Sequence, residues 1–253
     1  MSIHLEVSEH IAVVRLDKPP VNALARATRR RMIEIFDEIS ERADVRVAIL
    51  TGTGKFFCSG ADLKDRPDPD KAGDFLDHNR WTRETGNAIR ECTKPVIAAV
   101  NGPALGAGFG LMAACDIFLA SEDATFAMPE INVGLAGGVS MLRTMVGRSF
   151  TRRMFFTGMK VPAAELYRRG VLDEVVPAEQ LMPLAMEIAQ EIASKAPLAV
   201  MHAKQAANMM DLMPQRDGYR FEQNITMALA QTEDAQEARM AFLEKRPPVY
   251  KGR

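Results

Sequence analysis

The stretch Lys94-Pro95-Val96-Ile97-Ala98-Ala99-Val100-Asn101-Gly102-Pro103-Ala104-Leu105-Gly106-Ala107-Gly108 decides how this chain is read. Val96 to Val100 is a short apolar run without alternation, the pattern of a strand buried on both faces. Gly102 to Gly110 is a turn of small residues that opens a short helix, expected from Phe109 to Ala114. Small residues let backbone N–H groups face outward with no side chain in the way. A helix start adds unpaired N–H groups and the positive end of the helix dipole. The turn is not a P-loop, because no Gly-Lys-Ser/Thr ends it, and its glycines lack the dinucleotide Gly-x-Gly-x-x-Gly spacing.

A second segment of the same kind lies upstream. The apolar strand Arg46 to Leu50 leads through Thr51-Gly52-Thr53-Gly54 into Phe56-Phe57-Cys58-Ser59-Gly60-Ala61-Asp62. Two such turns can converge on one oxygen, and a preorganised donor of this sort is worth about 3–4 kcal/mol to a transition state in which that oxygen gains charge. A third segment, Phe126-Ala127-Met128-Pro129-Glu130-Ile131-Asn132-Val133-Gly134-Leu135, places one carboxylate after a proline.

Around these segments the pattern alternates. Ile3 to Val7 and Ile11 to Leu16 read as a hairpin, and Met32, Ile35, Phe36 and Ile39 repeat at helical spacing. Residues 65–74 are polar and proline-punctuated, hence a loop, and a helix is expected from Phe75 to Cys92. Asp116 to Ala120 and Ala124 to Met128 read as short strands. Beyond Val139 the period is helical except for Val171 to Val176, with Pro162, Pro177 and Pro197 near helix starts. Mixed β and α followed by a helical C-terminal third indicates an α/β fold.

Composition excludes several classes. Among 253 residues, net charge is −1, with 47% hydrophobic and 26% charged residues, an ordinary globular balance. No basic face is present to attract nucleic acid; Arg29-Arg30-Arg31 reads as solvated helix surface. Cys58, Cys92 and Cys115 match no zinc spacing, and no metal site is expected; their sparse, odd number suits a reducing compartment. No secretory leader pattern opens the chain and no run approaches the ~18 apolar residues of a membrane span, so a cytoplasmic location is expected.

Together, in this order, the three segments resemble the enoyl-CoA hydratase/isomerase (crotonase) family. The likeness begins at Asn22-Ala23-Leu24 and runs through Gly158 and Gly170-Val171-Leu172-Asp173 to Phe242-Leu243-Glu244-Lys245-Arg246. The resemblance implies a spiral of ββα units over residues 1–195 and a helical region over 196–253 that supports a homotrimer or homohexamer. It implies an acyl-CoA substrate, with CoA as part of that substrate and no separate cofactor. It assigns the oxyanion-hole donors to the N–H groups of Ala61 and Ala107 and the general acid/base to Glu130. By the same likeness Lys18, Arg26 and Lys245 lie near the CoA moiety.

One position departs from the family pattern. Hydratases of the family carry two glutamates, and the first corresponds here to Gly110. Hydration needs a water positioned at Cβ and a proton delivered at Cα, work that two carboxylates share, each worth about 10²–10⁴-fold. Moving a double bond needs only one base. The single glutamate therefore favours enoyl-CoA isomerisation. A hydratase with a non-standard second acid, from 70–77 or near Glu84, and an acyl-CoA thioester hydrolase remain alternatives; a Gly-x-Ser-x-Gly nucleophile elbow is absent. Met128, Met112, Met141 and Met145 are expected in the core or lining an acyl pocket, Gly137 and Gly138 in a plain turn or one whose N–H groups hold a water or polar substrate group, and His78 at the surface, though it is the one histidine placed to touch the pocket.

Overall fold

The computed structural model describes residues 2–253. A hairpin of β1 (Ile3–Ser8) and β2 (Ile11–Leu16) leads into α1 (Arg26–Glu41), then β3 (Val47–Gly52), α2 (Asp74–Glu91) and β4 (Val96–Val100). Next come β5 (Ala104–Leu105), α3 (Ala107–Ala113), β6 (Ile117–Ser121) and β7 (Thr125–Ala127). A 3₁₀ turn (Pro129–Val133) is followed by α4 (Val139–Leu142), α5 (Arg148–Thr157), β8 (Val161–Pro162), α6 (Ala163–Arg168) and β9 (Glu174–Val176). The chain ends in α7 (Ala178–Ala193), α8 (Pro197–Met210), α9 (Gln215–Leu229) and α10 (Glu233–Glu244).

The main sheet has the order β1-β2-β3-β4-β6-β9. Only β1 and β2 pair antiparallel; the other neighbours are parallel. Parallel strands are covered on both faces, which is why β3 and β4 are buried at every position and read as continuous apolar runs. Alternation decides which face each residue serves. Ala48, Leu50, Val96, Ala98 and Val100 join the core built with α1 residues Met32, Ile35, Phe36 and Ile39. Val47, Ile49, Ile97 and Ala99 face Leu181, Ala185, Ala189 and Ala193 of α7. Those four recur at i+4, and the three alanines let α7 lie close on the sheet.

A second, three-stranded sheet, β5-β7-β8, lies at the carboxyl end of this framework. Ala104 and Leu105 pair parallel with Phe126 and Ala127, and Gly106 donates to the Ala127 carbonyl at 2.8 Å. The two-residue β5 and β8 carry too little sequence pattern to be read as strands, and the helix at the glycine turn begins at Ala107, two residues before the expected start. None of the helices among the described residues is long and apolar enough to cross a membrane.

Candidate active site

The Asn22-Ala23-Leu24 motif organises the first glycine turn. Asn22 is buried, with φ 54°, the left-handed region that asparagine tolerates better than most residues. Its Nδ2 donates to the carbonyls of Phe56 at 2.7 Å and Thr53 at 3.0 Å, while Oδ1 accepts from the Lys18 N–H at 2.9 Å. Leu24 then pairs with the turn itself: its N–H donates to the Gly60 carbonyl at 2.8 Å, and its carbonyl accepts from the Asp62 N–H at 3.1 Å. Both bonds straddle Ala61, whose own N–H is left over.

The two turns are in contact. Cys58 pairs with Ala104, and the Cys58 carbonyl accepts from the Leu105 N–H at 2.9 Å. A Cβ on Gly60 would stand 2.6 Å from the Leu105 carbonyl oxygen and 3.3 Å from the Ala107 nitrogen; Gly60 also has φ 92°. A Cβ on Gly108 would stand 2.2 Å from the Cys58 carbonyl oxygen. Glycine is required at both positions so that the backbones can meet. Among the described residues neither the Ala61 nor the Ala107 N–H donates a hydrogen bond to the protein. Two unspent donors thus lie on abutting turns, the second at the first residue of α3.

Glu130 reaches the same place from the 3₁₀ turn. The β5–β7 pairing draws this segment alongside the glycine turn, Pro129 starts the turn, and the Leu135 N–H locks the Glu130 carbonyl at 2.9 Å. The carboxylate lies over Gly106, where a Cβ would be 2.5 Å from Oε1. Its Oε2 is buried with no hydrogen-bond partner. Burial raises the Glu130 pKa, opposed in part by its own backbone N–H. A carboxyl that holds its proton more tightly than usual is a stronger base, suited to taking a proton from carbon and giving it back.

These groups line one cavity of about 320 Å³, with Ala61, Ala107, Gly110, Met128, Glu130, Gly137 and Gly138 in its wall. Gly110 lies in α3, and the space beside it is occupied: a Cβ there would be 2.8 Å from the Met141 sulfur. Among the described residues Glu130 is the only carboxylate in the wall; the acidic residues at 70–77 and Glu84 do not line it. Of the four methionines, Met128 and Met141 line the cavity, while Met112 is fully buried in the core.

Two basic residues depart from expectation. His78, expected at the surface, lines the cavity, and its Nδ1 is buried without a partner. Burial, followed by the charges of Arg29 and Arg26, lowers its pKa. Arg29, expected on a solvated helix surface with its neighbours, is 2% exposed and lines the same cavity. The three consecutive arginines do diverge: Arg30 stacks over Trp81 at 4.6 Å, Arg31 reaches Glu34 at 3.1 Å, and Arg29 turns inward. Nothing in composition marks which of three arginines faces in; helix phase against Met32 and Ile39 was the available signal.

Of the other expected residues, Lys18 and Arg26 lie beside the first turn. Lys18 pairs with Asp62 at 2.7 Å, next to Ala61. Arg26 forms a fork on Asp74 at 2.7 and 2.8 Å, and Lys245 is exposed at the end of α10. Among the described residues no group of three or more His, Cys, Asp or Glu could hold a metal ion.

Known proteins resemble the chain over its whole length. The enoyl-CoA hydratase/isomerase family profile matches residues 6–253. A carnitinyl-CoA dehydratase of Salmonella enteritidis is 38% identical, with 100% of this chain and 99% of that protein covered. The crystal structure of an enoyl-CoA hydratase from Bacillus anthracis superposes with a TM-score of 0.93 at 34% identity, covering 100% of both chains. The structure of Pseudomonas aeruginosa DspI superposes at 0.94 with 30% identity, covering 99% and 97%. With its fold, its paired glycine turns and its Pro129-Glu130 carboxylate, the chain belongs to the crotonase family of enoyl-CoA hydratase/isomerase-type acyl-CoA enzymes.

Proposed function

We propose that the enzyme moves the double bond of an enoyl-CoA from the 3,4 to the 2,3 position, with Glu130 as its single acid/base. The observation that carries this reading is the Met141 thioether beside Gly110, in a cavity wall whose one carboxylate is Glu130. The thioester oxygen would accept from the Ala61 and Ala107 N–H groups. Glu130 takes a proton from C2, and the C2–H electron pair enters the dienolate, whose charge rests on the thioester oxygen. Collapse of the dienolate forms the C2–C3 double bond and takes the same proton from Glu130 at C4. No atom is gained or lost, and the carboxylate is regenerated.

The test is a pair of assays on purified protein. Conversion of 3-hexenoyl-CoA to 2-hexenoyl-CoA should be fast, and hydration of crotonyl-CoA slow. Fast hydration would replace this reading with a two-acid mechanism. Release of free CoA would replace it with thioester hydrolysis.

One observation favours a second reading. The relatives at 38% identity are carnitinyl-CoA dehydratases. Dehydration of a 3-hydroxyacyl-CoA needs an acid for the departing hydroxyl, and His78 lines the same cavity as Glu130. A His78→Phe variant separates the two, because double-bond transposition by Glu130 alone should survive it and dehydration should not.

For the CoA moiety, Lys18 is the best supported contact, since its ion pair with Asp62 adjoins Ala61. Arg26 would have to leave Asp74 to bind a phosphate, and Lys245 is free to reach one. A homotrimer or homohexamer is supported by the apolar side chains that α9 and α10 leave exposed, among them Met227, Phe242 and Leu243.

A further inference from the structure

The cavity contains a cation that the proposed chemistry does not use. Arg29 is 2% exposed, and among the described residues its guanidinium makes no hydrogen bond and no ion pair within 4.0 Å. Its Nη2 is buried without a partner. A guanidinium cannot shed its proton in a protein, so the charge stays, and an unpaired buried charge is costly. The natural partners are already engaged. Asp65, the largest favourable influence on Arg29, accepts from the Arg26 N–H and lies 3.8 Å from the Arg26 guanidinium. Cys58 is fully buried, and burial pushes its thiol up to about 12, so it supplies no anion. His78, also in the wall with an unpartnered Nδ1, has its pKa lowered by burial and by Arg29 itself and supplies no anion. Glu130 does not neutralise Arg29 either: among the described residues no ion pair within 4.0 Å joins them, and Oε2 of Glu130 has no hydrogen-bond partner.

We propose that Arg29 is the hydrogen-bond donor and counter-charge for a carboxylate carried on the acyl chain, so that the preferred substrates are thioesters of dicarboxylic acids. A guanidinium offers a planar fork of donors matched to a carboxylate, and charge-assisted hydrogen bonds of this kind are the strong ones. Much of the rest of the wall, including Leu24, Leu111, Met128 and Leu135, is apolar, and its polar members His78, Asn79, Thr82, Thr85 and Glu130 make no hydrogen bond to the Arg29 guanidinium among the described residues. An acyl chain that brings its own carboxylate would place opposite charges together in a low-dielectric site. The same guanidinium disfavours a cationic acyl group, such as the quaternary ammonium of a carnitinyl chain. This inference rests on the acyl-CoA reading of the site but not on isomerisation.

Binding of saturated CoA esters tests it without turnover. Succinyl-, glutaryl- and adipyl-CoA would be titrated calorimetrically beside butyryl-, valeryl- and hexanoyl-CoA, on wild type, Arg29→Met and Arg29→Lys. At one chain length or more, wild type should bind the carboxylated ester about tenfold or more tightly than its neutral partner, the size of one charge-assisted hydrogen bond. Arg29→Met should lose that preference, bind the neutral esters as well as wild type, and melt at a higher temperature because a buried unpaired charge is gone. Arg29→Lys should recover part of the preference. Equal binding of both members at all three lengths, or an equal loss for both in Arg29→Met, would overturn the proposal. Failure of the isomerisation reading would look different: ester binding with the carboxylate preference intact, but no shift of the 3-hexenoyl-CoA double bond. Absence of binding by every ester would overturn both.

Discussion

Under the proposed single-glutamate reading, replacing Gly110 by glutamate should raise hydratase activity. Gly110 has ordinary helical geometry in α3, so a side chain there meets no backbone strain. The obstacle is one atom: the new Cβ would lie 2.8 Å from the Met141 sulfur and 3.6 Å from its terminal methyl. Met141 is 39% exposed and its thioether is flexible, so it can swing toward solvent, and Met141→Ala in the same chain removes the clash outright. Replacing an interior helical glycine gains up to about 1 kcal/mol, which offsets part of the packing lost with Met141. The double variant should therefore melt close to wild type.

The new carboxyl would share a mostly apolar cavity with Glu130, and two like charges raise the pKa of one of them. One group then acts as acid while the other holds water. Hydration of crotonyl-CoA, followed by loss of the conjugated thioester absorbance, should rise by about 10²-fold or more, the lower end of what general acid–base help supplies. Less than a tenfold gain, in a variant that still folds and binds crotonyl-CoA, would refute the reasoning that Gly110 and Met141 set the reaction.

Glu130→Gln should abolish turnover while leaving CoA-ester affinity within about threefold, since in the proposed mechanism the hydrogen-bond donors for the thioester are backbone groups. Burial raises the Glu130 pKa above its ordinary value of 4.5, so the basic form is lost as pH falls, and the acid limb of the wild-type kcat/KM profile should lie above that value. The sign for stability is the reverse, because the folded state holds this proton more tightly: stability declines as pH rises from 4.5 through the raised pKa. The Tm advantage of Glu130→Gln should thus be present at neutral pH and disappear in acid. Ala107→Pro deletes one donor at the first residue of α3, where proline is compatible with a helix start, and should lower kcat about 10²–10³-fold with the fold retained by circular dichroism. Asn22→Ala strands the Phe56 and Thr53 carbonyls and should cost about 1–3 kcal/mol in urea unfolding, with kcat reduced through loosening of the Ala61 turn.

Local pattern carried most of the framework. The buried strands β3 and β4, the hairpin, α1 and α2 are legible because burial on one or both faces imposes a period on the residues themselves. The glycine turns are legible for a similar reason, since Gly60 and Gly108 sit where another backbone leaves no room for a Cβ. The motif likeness pointed to Ala61, Ala107 and Glu130, and Gly110 showed that an acid was missing. What filled the gap was not legible: Met141 lies 31 positions further along and approaches Gly110 only once α4 has packed over α3. The direction of Arg29 was legible only through helix phase: it stands three residues before the buried Met32, but that it reaches the cavity depends on the packing of α1 against the sheet and α2. Periodicity and glycine placement are properties of neighbouring residues, so the chain by itself determined the fold and the two turns. Which side chains share the cavity depends on contacts between segments far apart, and those existed only in the tertiary structure.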